Sequence, residues 1–298
     1  MIQPILSIII PSYNTADITI NCLKSIFTDK GLKQTPYEII VIDNNSTDDS
    51  VSKIKSLKIK NCKLIINSVN LGFAKANNQA INIAKGNYLL FLNSDTIILH
   101  SAISQSLDWL SSHPESAGCT AQLLNSNNSI QASGGYFPNL LNTFTWCSGL
   151  DDLPFINRLI KPIHPHTPDF YTHDNYFLTD HSQDWITGAY MLVRKNIIDS
   201  VNGFDENYFM YGEELEMCYR LKSKFPQLKF WYLVGPQVIH LGGASAKSRQ
   251  QIFEREYSGL LAFYKKHHPS QFPFVNLFIS LNRFLHSTVY TWLGLYHV

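Results

Sequence analysis

Apolar runs that end in polar clusters repeat through the first third of the chain. Leu6-Ser7-Ile8-Ile9-Ile10 runs into Pro11-Ser12-Tyr13-Asn14, and Tyr37-Glu38-Ile39-Ile40-Val41-Ile42 runs into Asp43 to Ser50. Cys62 to Asn67 leads to the turn Asn70-Leu71-Gly72-Phe73, and Tyr88-Leu89-Leu90-Phe91-Leu92 leads to Asn93-Ser94-Asp95. Short continuous apolar runs bounded by turn residues predict strands buried on both faces, as in the centre of a parallel sheet. Between them the spacing becomes helical. Asp17 to Phe27 carries Ile18, Cys22, Leu23 and Ile26 on one face, with Thr15 or Asp17 as its cap; Ser50 to about Leu57 and Ala74 to Lys85 follow. This alternation predicts a doubly wound, mostly parallel α/β sheet.

The pattern weakens after about Ser112, and residues 125 to 183 read as loops and short elements over one end of the sheet. Trp185 to Val193 predicts a strand entered through small residues, Lys229 to Val234 another strand, and Arg249 to His268 a helix. Phe272 to Val298 is apolar and aromatic, interrupted by Arg283, His286 and His297.

Composition narrows the function. Of 298 residues 16% are charged and the net charge is +1, which argues against a nucleic-acid binder, where a basic stripe is expected. The five cysteines are dispersed, without a CxxC pair, so neither a zinc framework nor a disulfide scaffold is expected, and a reducing compartment fits. The run Ile5 to Ile10 is short, lacks a basic flank and meets Pro11, so it does not read as a signal peptide. No run has the length of a transmembrane helix.

In a parallel sheet the polar clusters after each strand share one edge, where α/β folds bind ligands. Asp95, at the end of the most apolar strand, offers hard oxygens to a divalent metal carrying phosphate; the alternative is an ordinary polar turn. Asp43 suits a base N–H or ribose hydroxyls, while Asp48 or Asp49 reads as a helix cap. Gly72 would let backbone approach a ligand, or serve as a plain turn glycine, and Asn77 sits one turn into the next helix. The first turn lacks GxGxxG, and no GxxxxGK[ST], HExxH or GxSxG occurs. What remains is a nucleotide pocket built from Asp and Asn side chains.

On the helix that opens at Glu213, Glu214 leads an inward stripe of Met217, Cys218 and Leu221, and Glu216 is spaced to pair with Arg220. A carboxylate at a helix N-terminus, near other carboxylates, is tunable as a base; first-turn capping accounts for Glu213 and Glu216. His240 follows Val238-Ile239 and would bring imidazole nitrogen to a softer ion such as Mn2+ beside Asp95. The histidines at 164, 166, 173 and 181 are unevenly spaced, against a zinc site.

Taken together these segments resemble the family 2 glycosyltransferases of GT-A fold. The resemblance rests on Ile8 to Asn14, Val41 to Asp48, Asn70 to Ala74 with Asn77, Leu92 to Asp95, Trp185 to Ala189, Gly203-Phe204-Asp205-Glu206, Glu213 to Arg220 and His240, in order over about residues 5 to 268. Within the family the chain looks most like the bacterial rhamnosyltransferase-like branch.

The resemblance implies a GT-A domain over residues 1–268, with a nucleotide-binding half to about 112 and an acceptor half from 113, then an apolar extension over 269–298. It implies inverting transfer of a sugar from a dTDP-, UDP- or GDP-linked donor to a hydroxyl of a glycan or lipid-linked glycan in cell-surface polysaccharide synthesis. Pro11, Tyr13, Asn14 and Asp43 would surround base and ribose, with Asn70, Gly72, Phe73, Asn77, Asn93 and Ser94 completing the donor site. Asp95 would hold Mg2+ or Mn2+ with His240. Glu214 would be the base, with Glu213 its rival, and Trp185, Gly188 and Ala189 would lie near sugar and acceptor. Two departures stand out: Asn93 replaces the first acid of the DxD-type site, and the base position is Glu rather than Asp. The implied location is cytoplasmic, peripheral at the inner face of the membrane. The tail suits a membrane surface, a homodimer interface or closure of the core. Rival readings are a nucleotidyltransferase, which would want basic residues for triphosphate, a glycoside hydrolase with two flanking carboxylates, and a sugar-nucleotide binder without activity.

Overall fold

The computed structural model describes residues 3–170, 175–242 and 249–285. Its first half alternates as β1 (Leu6–Ser12), α1 (Ala16–Ile26), β2 (Tyr37–Asp43), α2 (Ser50–Ser56), β3 (Cys62–Ile66), α3 (Gly72–Ile83) and β4 (Tyr88–Leu92). The apolar runs form strands because both of their faces are covered: Ile8, Ile9 and Ile10 of β1 and Leu89 to Leu92 of β4 are wholly excluded from solvent. These strands lie in the order β3-β2-β1-β4, all parallel. Ser12 is level with Asp43, and Ile9 with both Ile40 and Phe91, so the polar segments after β1, β2 and β4 emerge along one edge.

The chain continues through β5 (Thr96–Ile98), α4 (Ala102–Ser112), β6 (Ser116–Leu124), β7 (Ile130–Gln131), β8 (Gly134–Gly135), α5 (Leu140–Ser148) and α6 (Pro154–Leu159). Then come β9 (His181–Gln183), β10 (Trp185–Ile186), β11 (Tyr190–Arg194), α7 (Lys195–Asp199), α8 (Glu213–Lys224), β12 (Lys229–His240), α9 (Arg249–His267) and α10 (Phe272–Leu285). The sheet extends as β4-β11-β6-β12-β5, with β11 antiparallel to both neighbours. A reversed β11 begins where β4 ends, so Asn93 N donates to Ala189 O at 3.0 Å. β12 runs parallel to β6 and ends on the same edge, with His240 opposite Thr96. Alternate strand residues feed two cores. Ile9, Ile40, Phe91 and Met191 face α3, α8, α9 and α10; Ile8, Ile10, Leu90, Leu92 and Leu192 face α1 and α4.

Three elements differ from the sequence pattern. The single strand expected over 185–193 is two, because the chain changes sheets at Thr187-Gly188-Ala189: β10 pairs with β8, and β11 joins the main sheet. The strand expected to stop at Val234 continues to His240 through a register shift between Leu233 and Gln237, a bulge that accommodates Pro236, which has no N–H to donate. Residues 125–183 contain a helix that weak periodicity hid; α5 is started by a capping box in which Asn139 and Asn142 satisfy each other's backbone N–H groups.

α8 is fixed by its own acid. Glu216 is fully buried and does not cap the helix. It accepts from Arg220 Nε at 2.8 Å, Lys266 Nζ at 2.7 Å and His267 Nε2 at 3.0 Å, while Lys266 also reaches Asp205 at 2.6 Å. Burial pushes the Glu216 carboxyl up, but the hydrogen bonds from His267 and Lys266 and the Arg220 charge prevail and hold it below the ordinary range. Glu216→Gln leaves the Arg220 and Lys266 cations facing a neutral amide and should cost about 3–5 kcal/mol in denaturant unfolding. The unfolded carboxyl takes up its proton first as pH falls. The Glu216 contribution is therefore complete above about pH 4.3 and is lost as pH drops through the depressed folded value. In the variant, this part of the acid destabilisation should be absent.

α10 packs Val275 and Ile279 into the core and turns Phe274, Leu277 and Leu281 outward. Among the described residues no helix is long and apolar enough to cross a membrane. The tail beyond residue 285, with His286 and His297, and His173 in the loop, lie outside the described residues.

Candidate active site

The strand-end segments open into a cleft of about 420 Å³. Of the residues singled out from sequence, Pro11, Tyr13, Asn70, Gly72, Phe73, Asn93, Ser94, Asp95, Gly188, Ala189, Glu213, Glu214 and His240 line it. Asn14, Asp43, Asn77 and Trp185 do not; they sit behind or beside it.

Asn14, Asp43 and Asn77 each have a local reason. Asn14, in the left-handed region at φ 52°, accepts from Thr47 N at 2.8 Å and ties the β1 turn to the β2 loop. Asp43 is wholly buried; one carboxylate oxygen accepts from Ser46 N at 2.9 Å and the other has no partner among the described residues. Asp48 is the acid that serves the helix starts, accepting from Ala16 N and Ser50 N at 3.0 Å each. Asn77 is buried and donates to Phe73 O at 2.9 Å.

Gly72 is a structural pivot. Its φ is +80°, and a Cβ there would come within 2.3 Å of Phe209 O. The adjacent Phe73 N donates to that same oxygen at 2.7 Å, and the Phe73 ring lies under Gly188, so one contact positions both the 209–211 loop and the β10–β11 turn. Gly72→Ala should lower stability by about 1–3 kcal/mol in thermal unfolding, through positive φ and backbone clash together.

At one end of the cleft Asp95 Oδ1 lies 3.3 Å from His240 Nε2, and Asn93 Nδ2 lies 3.3 Å from the same nitrogen. On the far side of the ring, Nδ1 is 2.6 Å from Gln131 Oε1, whose amide is oriented because its NH2 donates to Asn125 Oδ1 at 3.1 Å. Nδ1 therefore carries the proton given to Gln131. A neutral ring then turns its Nε2 lone pair towards a carboxylate oxygen, and two electron-rich atoms at 3.3 Å call for a proton or a metal ion between them. The donor set fits a borderline divalent ion such as Mn2+, with room for donor phosphates. Among the described residues no three His, Cys, Asp or Glu side chains converge as a complete metal site.

Glu213 and Glu214 line the same cleft from the first turn of α8, after Gly212 at φ +90°. Glu213 is almost wholly buried; burial and then the Glu214 charge push its carboxyl well above the ordinary range. Burial also raises Glu214, whose Oε1 receives a long contact of 3.4 Å from Gly188 N. One oxygen of each acid has no partner among the described residues. A raised, under-bonded carboxyl at a cleft wall is equipped to take a proton. A third acid, Glu256 of α9, is raised to about 7 by burial and by the Glu214 charge.

Sequence reasoning missed the wall that α9 supplies. Gln251 and Arg255 line the cleft beside Phe209, Met210 and Tyr211, and Arg255 donates to Met210 Sδ at 3.2 Å. Arg255 is the only Lys or Arg among the described lining residues. Its signal was the spacing of Gln251, Arg255 and Gly259, one face of the helix, with Gly259 packed against Gly212.

The model of glycosyl transferase family 2 matches residues 7–192. The chain belongs to that family. It is 41% identical over 101 residues to a poly(ribitol-phosphate) beta-glucosyltransferase of Bacillus spizizenii, a match covering 33% of this chain and 16% of that protein. It is 24% identical over 220 residues, 70% of this chain and 67% of the relative, to the N-acetylglucosaminyl-diphospho-decaprenol L-rhamnosyltransferase of Mycobacterium tuberculosis. The structure resembles that of a mannosyltransferase from Pyrobaculum calidifontis solved with GDP-Man and Mn2+, with a TM-score of 0.55 at 13% identity over 94% of this chain and 70% of that one. The shared architecture is the α/β fold of GT-A type. The chain thus spans 16% of the length of the Bacillus relative, while the matched family segment carries β1 to β4 and the turn into β11.

Proposed function

We propose that the chain catalyses inverting transfer of a sugar from a nucleoside-diphosphate sugar to a hydroxyl of a glycan or lipid-linked glycan, in cell-surface polysaccharide synthesis. The observation that carries this reading is the meeting of two unlike groups in one cleft: the Asp95–His240 pair and the raised carboxyls Glu213 and Glu214. Inversion by a single displacement needs one base and one stabiliser of the leaving group, and this cleft holds a candidate for each. The strand-end half, to about residue 112, would bind the nucleotide, and residues 113–268 would present the acceptor.

In this mechanism Pro11, Tyr13 and Ser94 line the nucleotide end, and Arg255 faces the cleft as a cation for the phosphates. Asp95 and His240, with Asn93 beside them, would hold a divalent ion, which when bound neutralises charge developing on the diphosphate. Gly188 N orients Glu214 Oε1, and Glu214 takes the proton from the acceptor hydroxyl as it attacks. The likeness to the mycobacterial enzyme supports rhamnose as the first sugar to test.

The test is nucleoside diphosphate release with candidate donors. Release that depends on acceptor and is lost in Glu214→Gln supports transfer; release that ignores both overturns the reading. For a lipid-linked acceptor the outward stripe of α10 would rest on the inner face of the membrane. Leu277→Ser with Leu281→Ser should then reduce co-sedimentation with anionic vesicles several-fold, and unchanged sedimentation removes α10 from that role.

A further inference from the structure

Beside the cleft lies a smaller cavity of about 70 Å³, walled by Trp146 of α5, Ile163, Trp185 of β10, and Leu260 and Phe263 of α9. Tyr211 and Glu214 border both spaces, so the two adjoin at the candidate base. Trp185 is only 6% exposed, and its indole N–H has no acceptor among the described residues. Such a buried donor is destabilising while unpaired, and a ligand carbonyl would satisfy it. His164 stands edge-on to Trp185 with ring centroids 5.4 Å apart; burial lowers its pKa to about 4, so it is neutral near pH 7.

Size and charge select the occupant. At roughly 10–15 Å³ per water-sized sphere, the cavity takes about five to seven heavy atoms, fewer than the dozen or so of a hexose. Among the described residues no Lys or Arg lines it, and Glu214 and Glu256 do, which disfavours carboxylate and phosphate substituents. A hydroxymethyl group would leave most of the aromatic wall unfilled. An acetamido group matches each feature: its carbonyl meets the Trp185 N–H, its N–H meets a carboxylate of Glu256, and its methyl meets Trp146, Leu260 and Phe263.

Resting on the transferase reading of the cleft, we propose that this cavity receives the acetamido group of an N-acetylhexosamine in the acceptor. The acceptor is favoured over the donor by position. Pro11, Asn93, Asp95 and His240 take no part in the cavity, whereas Glu214, to which the acceptor hydroxyl would give its proton, forms part of its wall.

Saturation-transfer NMR on the whole chain tests this with methyl N-acetyl-β-glucosaminide, methyl β-glucoside and UDP-N-acetylglucosamine. The acetamide methyl of the first glycoside should receive the strongest saturation, and that sugar should bind about tenfold tighter than the glucoside. Trp185→Phe keeps a ring but deletes the N–H. It should remove about that tenfold advantage while nucleoside diphosphate affinity, measured by calorimetry, stays unchanged and shows the fold intact. Equal binding of the two glycosides overturns the proposal, as does methyl saturation confined to the nucleotide-linked sugar. Protein that binds neither nucleotide nor glycoside overturns the transferase reading as well; protein that binds nucleotide but does not distinguish the glycosides overturns this proposal alone.

Discussion

Glu214→Gln should bind nucleoside diphosphate with unchanged affinity and transfer sugar about 10²–10⁴-fold more slowly. The amide keeps the shape of the side chain and can still meet Gly188 N, so the β10–β11 turn and the cleft should persist. What disappears is the capacity to accept a proton. The pH profile gives a second readout. Burial raises the Glu214 carboxyl, so the wild-type rate should fall with decreasing pH through a value above the ordinary glutamate pKa of about 4.3, and the variant should lack that limb.

The neighbouring acid makes the experiment discriminating. Glu213 is the more buried of the two, and its pKa is raised partly by the Glu214 charge. Raised above Glu214, Glu213 is already protonated where Glu214 ionises, so Glu213→Gln should leave the acid limb in place, with a rate loss of about tenfold or less. A larger loss in Glu213→Gln than in Glu214→Gln would reverse the assignment. Unchanged transfer in both would remove α8 from the chemistry.

The first half of the fold was legible because β1, β2 and β4 are buried on both faces. Continuous runs such as Ile8 to Ile10 and Leu89 to Leu92 carry that fact in the residues themselves. Legibility failed where backbone choices depend on distant partners. The break at Thr187-Gly188-Ala189 depends on Phe73 lying beneath Gly188, and the continuation of β12 past Pro236 depends on β5 waiting to pair with Val238, Ile239 and His240. The site divides in the same way. Asp95 and Glu214 could be picked out because each interrupts an apolar pattern at an element's end. Arg255 had only its spacing with Gln251 and Gly259, and a cation on a mixed helix face looks like any solvated charge until α9 packs against Gly212. Asp43 and Asn77 show the converse: polar residues at strand and helix ends that the fold buries behind the cleft.

Asp95→Asn should abolish transfer while leaving the fold intact, and it should do so through metal affinity. With Asn at position 93, Asp95 is the carboxylate that faces His240 Nε2, so the variant leaves one imidazole and the donor's phosphates to hold an ion. Losing a charged ligand should weaken Mn2+ binding by more than the 10–100-fold typical of outer-shell changes. Paramagnetic titration of free Mn2+ in the presence of nucleoside diphosphate measures this without any turnover. Gln131→Leu is the companion variant, because it frees Nδ1 of His240 and allows the proton to move to Nε2, where it competes with the ion. It should weaken Mn2+ about 10–100-fold and leave nucleotide binding without metal unchanged. If Asp95→Asn binds Mn2+ as well as wild type and still transfers, the Asp95–His240 pair is an ordinary ion pair, and charge on the leaving diphosphate must be met from elsewhere in the cleft, with Arg255 the first residue to test.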